Sequence, residues 1–143
     1  MLIDNSKINQ IVYITKNKIV FIDKTEQKIN IKIEELLNKI CLSEMTSLKG
    51  RKEAIKHIYG FQNNPPLYLT KNVVLIRIED IITKSTVYLN VIYINKMLQE
   101  GVNCKIYFTN NTFLFLCIDV KYITKQYEKA IKIIKNNDNI NFI

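Results

Sequence analysis

The sequence predicts an α+β protein built from antiparallel strands and amphipathic helices. Strand-like apolar runs cluster in two stretches, residues 10–33 and 66–118. Each stretch gives way to a segment whose apolar residues recur at helical spacing. Turn-forming pairs at Asn17-Lys18, Lys71-Asn72 and Asn110-Asn111 separate neighbouring runs.

Taken in order, QIVYITK, IVFID and KINIKI read as three antiparallel strands, the third following the polar KTEQ. From Ile33 the period changes. Ile33, Leu36, Leu37 and Ile40 share a helical face, and Glu34 and Glu35 suit the electropositive first turn of a helix. Ser43 and Ser47 are both suitable caps for the next helix. Its stripe of Leu48, Ile55, Ile58 and Tyr59 runs to a stop at Gly60, and Gly50 interrupts it near the start. QNNPP, residues 62–66, cannot be helical, because each proline forces its predecessor toward extended backbone, and it reads as a connector. PLYLT, VVLIRIE and TVYLNVIYI then read as strands, a break falls around Gly101, and CKIYFT and TFLFLCI form a hairpin with Asn110-Asn111 at its tip. Asp119 caps a last helix with Val120, Ile123, Tyr127, Ala130 and Ile134 on one face. Lys121, Lys125 and Lys132 point away from that face, and the helix ends at the polar NNDN.

The halves share a plan of hairpin followed by helical segment, with KEAIKHI in the first echoed by EKAIKII in the second. This points to an internal duplication: two similar antiparallel-strand-plus-helix units, about 1–62 and 67–143, joined at Asn63–Pro66 and packed as one pseudo-symmetric domain. Heavy use of Lys and Ile generates such echoes as well.

A chain of 143 residues, 48 % of them apolar, has enough material for one domain with a real core. Its start lacks the pattern of a secretory signal and no run approaches the length of a membrane span, so the expectation is a cytoplasmic protein with no membrane partner. Cys41, Cys104 and Cys117 lack metal-ligand or paired spacing and are expected to be buried thiols. His57, the single histidine, stands among Lys56, Lys52 and Arg51 on an expected surface helix position. No nucleotide-binding, metalloprotease or paired-carboxylate motif is present, and three glycines leave no phosphate-cradling loop. The expectation is therefore of no enzyme, with no catalytic residues, metal ligands or cofactor.

A net charge of +8 and a pI near 9.3 suit an anionic partner such as nucleic acid. Yet Lys, Asn and Ile abound throughout while Arg, Gly and Pro are scarce, so the placement of charge decides more than its total. In SLKGRKEAIK, residues 47–56, the cations crowd a helix start, where each costs roughly 0.3–1 kcal/mol. With Ser43 as the cap they would move into the helix interior and the conflict would fade. Lys49, Lys52 and Lys56 line one side, Gly50 leaves room for a phosphate beside the backbone, and Ser47 can cap or donate to a phosphate. A solvated face and a phosphate-binding stripe remain equally open. Asn63 and Asn64 carry amides suited to minor-groove acceptors and the following prolines suit a wedge, while a rigid linker explains the same residues.

The run C-L-S-E-M-T-S-L-K-G-R-K from Cys41, followed at fixed distance by Pro65-Pro66, resembles the ComK competence transcription factors. VVLIRI, YLNVIYI and YFTNNTFLFLCI also look like their ComK counterparts, so the resemblance spans roughly residues 19 to 135. It implies a sequence-specific DNA-binding protein that activates competence and DNA-uptake genes. Such proteins bind paired AT-rich boxes largely through the minor groove, as dimers that assemble into tetramers, with RNA polymerase as a candidate partner. Carried onto this chain, the resemblance implies DNA contacts from Ser47, Lys49, Gly50, Arg51 and Lys52, then Asn63 and Asn64, and the lysine stripe adds Lys56. Arg51 is the expected groove-inserting residue. The chain stops soon after the last helix, so it is expected to lack the C-terminal extension that serves activation and adaptor-mediated proteolysis. The alternative is a regulatory or protein-interaction module of the same fold that binds no DNA.

Overall fold

Alternation in the first stretch builds a hairpin. β1 (Ile11–Thr15) and β2 (Lys18–Phe21) pair antiparallel in a computed structural model that describes residues 3–61 and 63–140, the last three by backbone alone. Gln62 of the connector therefore lies outside the described residues. The turn falls at Lys16-Asn17, one residue before the expected pair, because the Thr15 hydroxyl accepts from the N–H groups of Asn17 at 3.3 Å and Lys18 at 3.2 Å. A short helix, α1 (Asn5–Ile8), precedes the hairpin.

The third strand is not KINIKI. β3 is the polar Glu26–Lys28, whose charged ends blunt an exposed sheet edge. Ile29, Ile31 and Ile33 lie half-buried against the core beyond the strand, and of their N–H groups that of Ile29 reaches back to the Asn17 carbonyl at 2.9 Å, so their alternation reflects packing more than pairing. Helix α2 (Ile33–Ser43) follows, burying Leu36, Leu37, Ile40 and Cys41, and then α3 (Leu48–Tyr59). α3 ends where Gly60 adopts φ 70° and its N–H bonds the Lys56 carbonyl, as the sequence predicts.

After the connector come β4 (Leu67–Thr70), β5 (Val73–Glu79) and β6 (Thr86–Asn90). TVYLNVIYI is not one strand. Its chain turns at Asn90 through a 3₁₀ turn, Val91–Tyr93, into β7 (Ile94–Glu100), a strand that the sequence does not announce. The fully buried Asn90 amide fixes this corner. Its Oδ1 accepts from Val74 N–H at 3.1 Å and Ile92 N–H at 3.2 Å, and its Nδ2 donates to the carbonyls of Ile11 at 2.7 Å and Asn72 at 2.8 Å. β8 (Asn103–Phe108) and β9 (Phe113–Leu116) form the expected hairpin, with Asn111 left-handed at its tip (φ 66°). Asp119 Oδ1 accepts from Lys121 N–H at 2.9 Å at the start of α4 (Val120–Ile140), which continues through NNDN instead of stopping there.

Two antiparallel sheets result: a six-stranded one in the order β3-β2-β1-β6-β5-β4 and a three-stranded one in the order β7-β8-β9. Alternating side chains of the large sheet feed two cores. Ile14, Phe21, Leu75 and Tyr88 pack beneath α2 and α3, whereas Val12, Val74, Ile76 and Leu89 meet the small sheet and α4. The order of layers is thus α2/α3, large sheet, then small sheet with α4. Each half of the chain contributes a three-stranded meander in the same lateral order, with strand sense reversed between them. The halves differ from the expected pair of similar units in two ways: β1 pairs with β6, fusing them into one sheet, and β7–β9 has no counterpart in the first half. All three cysteines are buried, as expected, and burial pushes the Cys41 and Cys104 thiols up. Among the described residues no helix is long and apolar enough to cross a membrane.

Candidate nucleic-acid interface

The start of α3 settles which serine caps it. Ser47 is extended (φ −117°, ψ 156°) and its hydroxyl accepts from Gly50 N–H at 3.0 Å, while Ser43 closes α2 by donating to the Ile40 carbonyl. The cations therefore stand in the first turns of α3, with no acidic residue in its first turn, whereas α2 places Glu34 and Glu35 there. The electrostatic conflict seen in SLKGRKEAIK is a property of the fold.

Two backbone donors at this helix end are already engaged. Leu48 N–H donates to Asn38 Oδ1 at 3.0 Å and Gly50 N–H to the Ser47 cap. A Cβ on Gly50 would lie 3.1 Å from the Ser47 hydroxyl, so the glycine makes room for the cap. What the helix offers outward is its lysine side chains.

At 100° per residue those side chains separate into flanks. Lys49, Lys52 and Lys56 share one flank, Leu48 and Ile55 face the core, and Arg51 lies on the other flank. There, half-buried, Arg51 Nη1 donates to the Tyr68 carbonyl at 3.0 Å, clamping α3 to edge strand β4. Ile58, expected in the core, is 64 % exposed and faces α4 across a hollow shared with Ile133 and Asn136. His57 is exposed, as expected.

On the lysine flank the large sheet supplies a partner for the helix. Lys52 and Lys56 line a cleft of about 120 Å³ with Asn64, Pro65, Leu67, Arg77 and Tyr88. Arg77 projects from β5 on the face that α2 and α3 cover, opposite Tyr88 in register, and Nη2 reaches Thr86 Oγ1 at 3.3 Å. Burial pushes the Tyr88 phenol up, and the adjacent Arg77 opposes that shift. Among the described residues, Lys49, Lys52, Lys56 and Arg77 form no ion pair. Beyond Arg77 a second hollow of about 330 Å³ is bounded by Glu79 and Asp119, so the basic surface ends there.

Of the residues expected at the site, Lys52, Lys56 and Asn64 meet at one cleft, with Lys49 on the same helix flank. Asn63 is exposed beside Asn64, which takes a positive φ of 43° that Asn tolerates better than most residues. Pro65 and Pro66 are both buried, so neither is free to wedge a base step. Ser47 and Gly50 build the cap, and Arg51 faces away from the cleft. Arg77 was missed. Its signal is a lone cation inside VVLIRIE, a strand otherwise apolar up to its last residue, which marks a polar opening in a buried face.

An α+β chain with a cleft lined by three cations suits a binding protein for an anionic polymer. Among the described residues no cluster of three or more His, Cys, Asp or Glu stands ready for a metal. The chain belongs to the ComK family, whose model, described as ComK protein, matches residues 7–139. That is a family of competence transcription factors and not of enzymes. Comparison with curated proteins and with solved structures gave no match.

Proposed function

We propose that this protein is a cytoplasmic, sequence-specific transcription activator of competence and DNA-uptake genes that binds AT-rich duplex DNA largely through the minor groove. The supporting observation is the convergence of Lys52, Lys56, Arg77 and Asn64 on one cleft, where the three cations form no ion pair among the described residues. Phosphates seat against Lys49, Lys52, Lys56 and Arg77, and the exposed Asn63-Asn64 bend reaches the A N3 and T O2 acceptors on the groove floor. A-tracts are favoured because their narrow minor groove concentrates negative potential. Arg51 acts by positioning α3 on β4. A homodimer or tetramer places two such surfaces on paired boxes, and RNA polymerase is the partner expected of an activator.

A salt titration of duplex binding by fluorescence anisotropy tests this reading. Removing three phosphate contacts in Lys52→Ala/Lys56→Ala/Arg77→Ala flattens the slope of log K against log salt by about 2.7. Replacing Asn63 and Asn64 by Ala narrows the preference for an AT-box duplex over a mixed-sequence one. Wild-type slope and affinity in the triple variant would sink the cleft as the DNA site.

A further inference from the structure

The inner face of the small sheet, carrying Cys104, Ile106 and Phe108, packs on the large sheet, so its outer face looks away from both the large sheet and α3. Register places Lys96 and Leu98 of β7, Lys105 and Tyr107 of β8, and Phe113 and Phe115 of β9 on that outer face. Phe113 is 51 % and Phe115 46 % exposed. The three rings form a continuous surface, with centroids 6.3 Å apart from Tyr107 to Phe113 and 5.4 Å from Phe113 to Phe115. Lys105 Nζ stands 4.2 Å from the Phe113 centroid and 4.9 Å from that of Tyr107, and Lys96 Nζ is 4.7 Å from Tyr107. Nothing in the duplex-binding reading uses this face.

We infer that the outer face of the β7–β9 sheet is a second nucleic-acid site, one that stacks the unpaired bases of a single strand on Tyr107, Phe113 and Phe115 while Lys96 and Lys105 hold its phosphates. Duplex DNA keeps its base faces covered by neighbouring pairs, whereas a single strand has them free to stack on aromatic rings between cations. Charge argues against a second copy of this chain as the occupant. Lys105 sits in the middle of the face and Glu100 only at its corner, so self-pairing would bring lysines together over the rings. An entering base displaces the ammonium groups from the rings toward the phosphates on either side. The single strand and the duplex occupy opposite outer layers of the molecule, so each binds without excluding the other.

The test is anisotropy with labelled oligothymidylate and oligouridylate, and with an abasic oligomer of the same length that keeps the phosphates and lacks the bases. The full chain binds the base-bearing probes more tightly than the abasic one, and the two probes separate DNA from RNA as the source. Phe113→Ala/Phe115→Ala removes two stacking rings, weakens that binding by roughly 30-fold or more and leaves duplex affinity unchanged. Should the double alanine variant unfold by circular dichroism, Phe113→Leu/Phe115→Leu keeps apolar bulk, removes the π-faces and shows the same loss. Equal binding of abasic and base-bearing probes overturns the inference, as does unchanged single-strand affinity in the leucine variant. A dimer that the Phe113 and Phe115 substitutions dissociate, in a chain that binds neither base-bearing probe, assigns the face to a second copy instead. Because Lys52→Ala/Lys56→Ala/Arg77→Ala leaves this face intact, its single-strand binding survives whether or not the duplex reading holds.

Discussion

Arg51 and Arg77, the two arginines of the chain, differ in placement: Arg51 clamps α3 to β4, and Arg77 lines the cleft proposed as the duplex site. Arg51→Ala removes a charged donor from the Tyr68 carbonyl and is expected to cost about 1–2 kcal/mol in urea denaturation, with duplex affinity retained. Arg77→Ala reverses the pattern, with a small stability change and a weaker, less salt-sensitive complex. Asn90 is the most committed polar residue, with four hydrogen bonds to three segments. Asn90→Ala is expected to cost more than about 3 kcal/mol, read as a lower urea midpoint at unchanged slope. The N–H of Cys117, then those of Thr83 and Ile82, hold the Asp80 carboxyl below its ordinary range. A lowered folded pKa contributes stability that is complete above the unfolded value of about 3.9 and lost as pH falls through the folded one. Wild-type stability should therefore fall more steeply than that of Asp80→Asn as pH drops below about 4. Composition made an anionic partner legible, but not which arginine lines the cleft, because Arg51 looks like a surface helix residue until Tyr68 is brought beside it.

Among the elements, α3 shows a helix start that the fold alone would not choose. Lys49→Glu should stabilise the protein by about 0.3–1 kcal/mol by complementing the helix end. The same change should weaken duplex binding, so the two assays move in opposite directions. If Lys49→Glu leaves duplex affinity unchanged, this flank carries no phosphate. Ser47→Ala should cost about 1 kcal/mol through loss of the cap. α2 and α4 were readable because their apolar periods coincide with their buried faces, α3 because its stripe does so apart from the exposed Ile58, and the β8–β9 hairpin because an Asn-Asn turn separates two strand-like runs. β3 and β7 were not: Glu26–Lys28 is polar throughout, and along β7 only Ile94 is buried, so neither has an apolar signature. Pairing with β2 and β8 makes them strands, and that information lies in their partners.

At the scale of the molecule, the fused sheet argues for one cooperative unit. Urea unfolding followed by tyrosine fluorescence and by far-ultraviolet circular dichroism should give coincident single transitions, and two separated transitions would show that the halves unfold independently. The eight tyrosines, with no tryptophan, suit the first probe. Sequence could not reveal the fusion, since strand alternation specifies which face is buried and leaves open which distant strand lies alongside. In the finished sheet Thr15 of β1 stands beside Val87 of β6. During synthesis on a ribosome, β1 must therefore wait with one edge open until most of the chain has been made. Closing so long a loop adds little to its entropic cost, which grows only with the logarithm of length. The delay is one of time, in which a chaperone or a premature partner has its best access to the nascent protein.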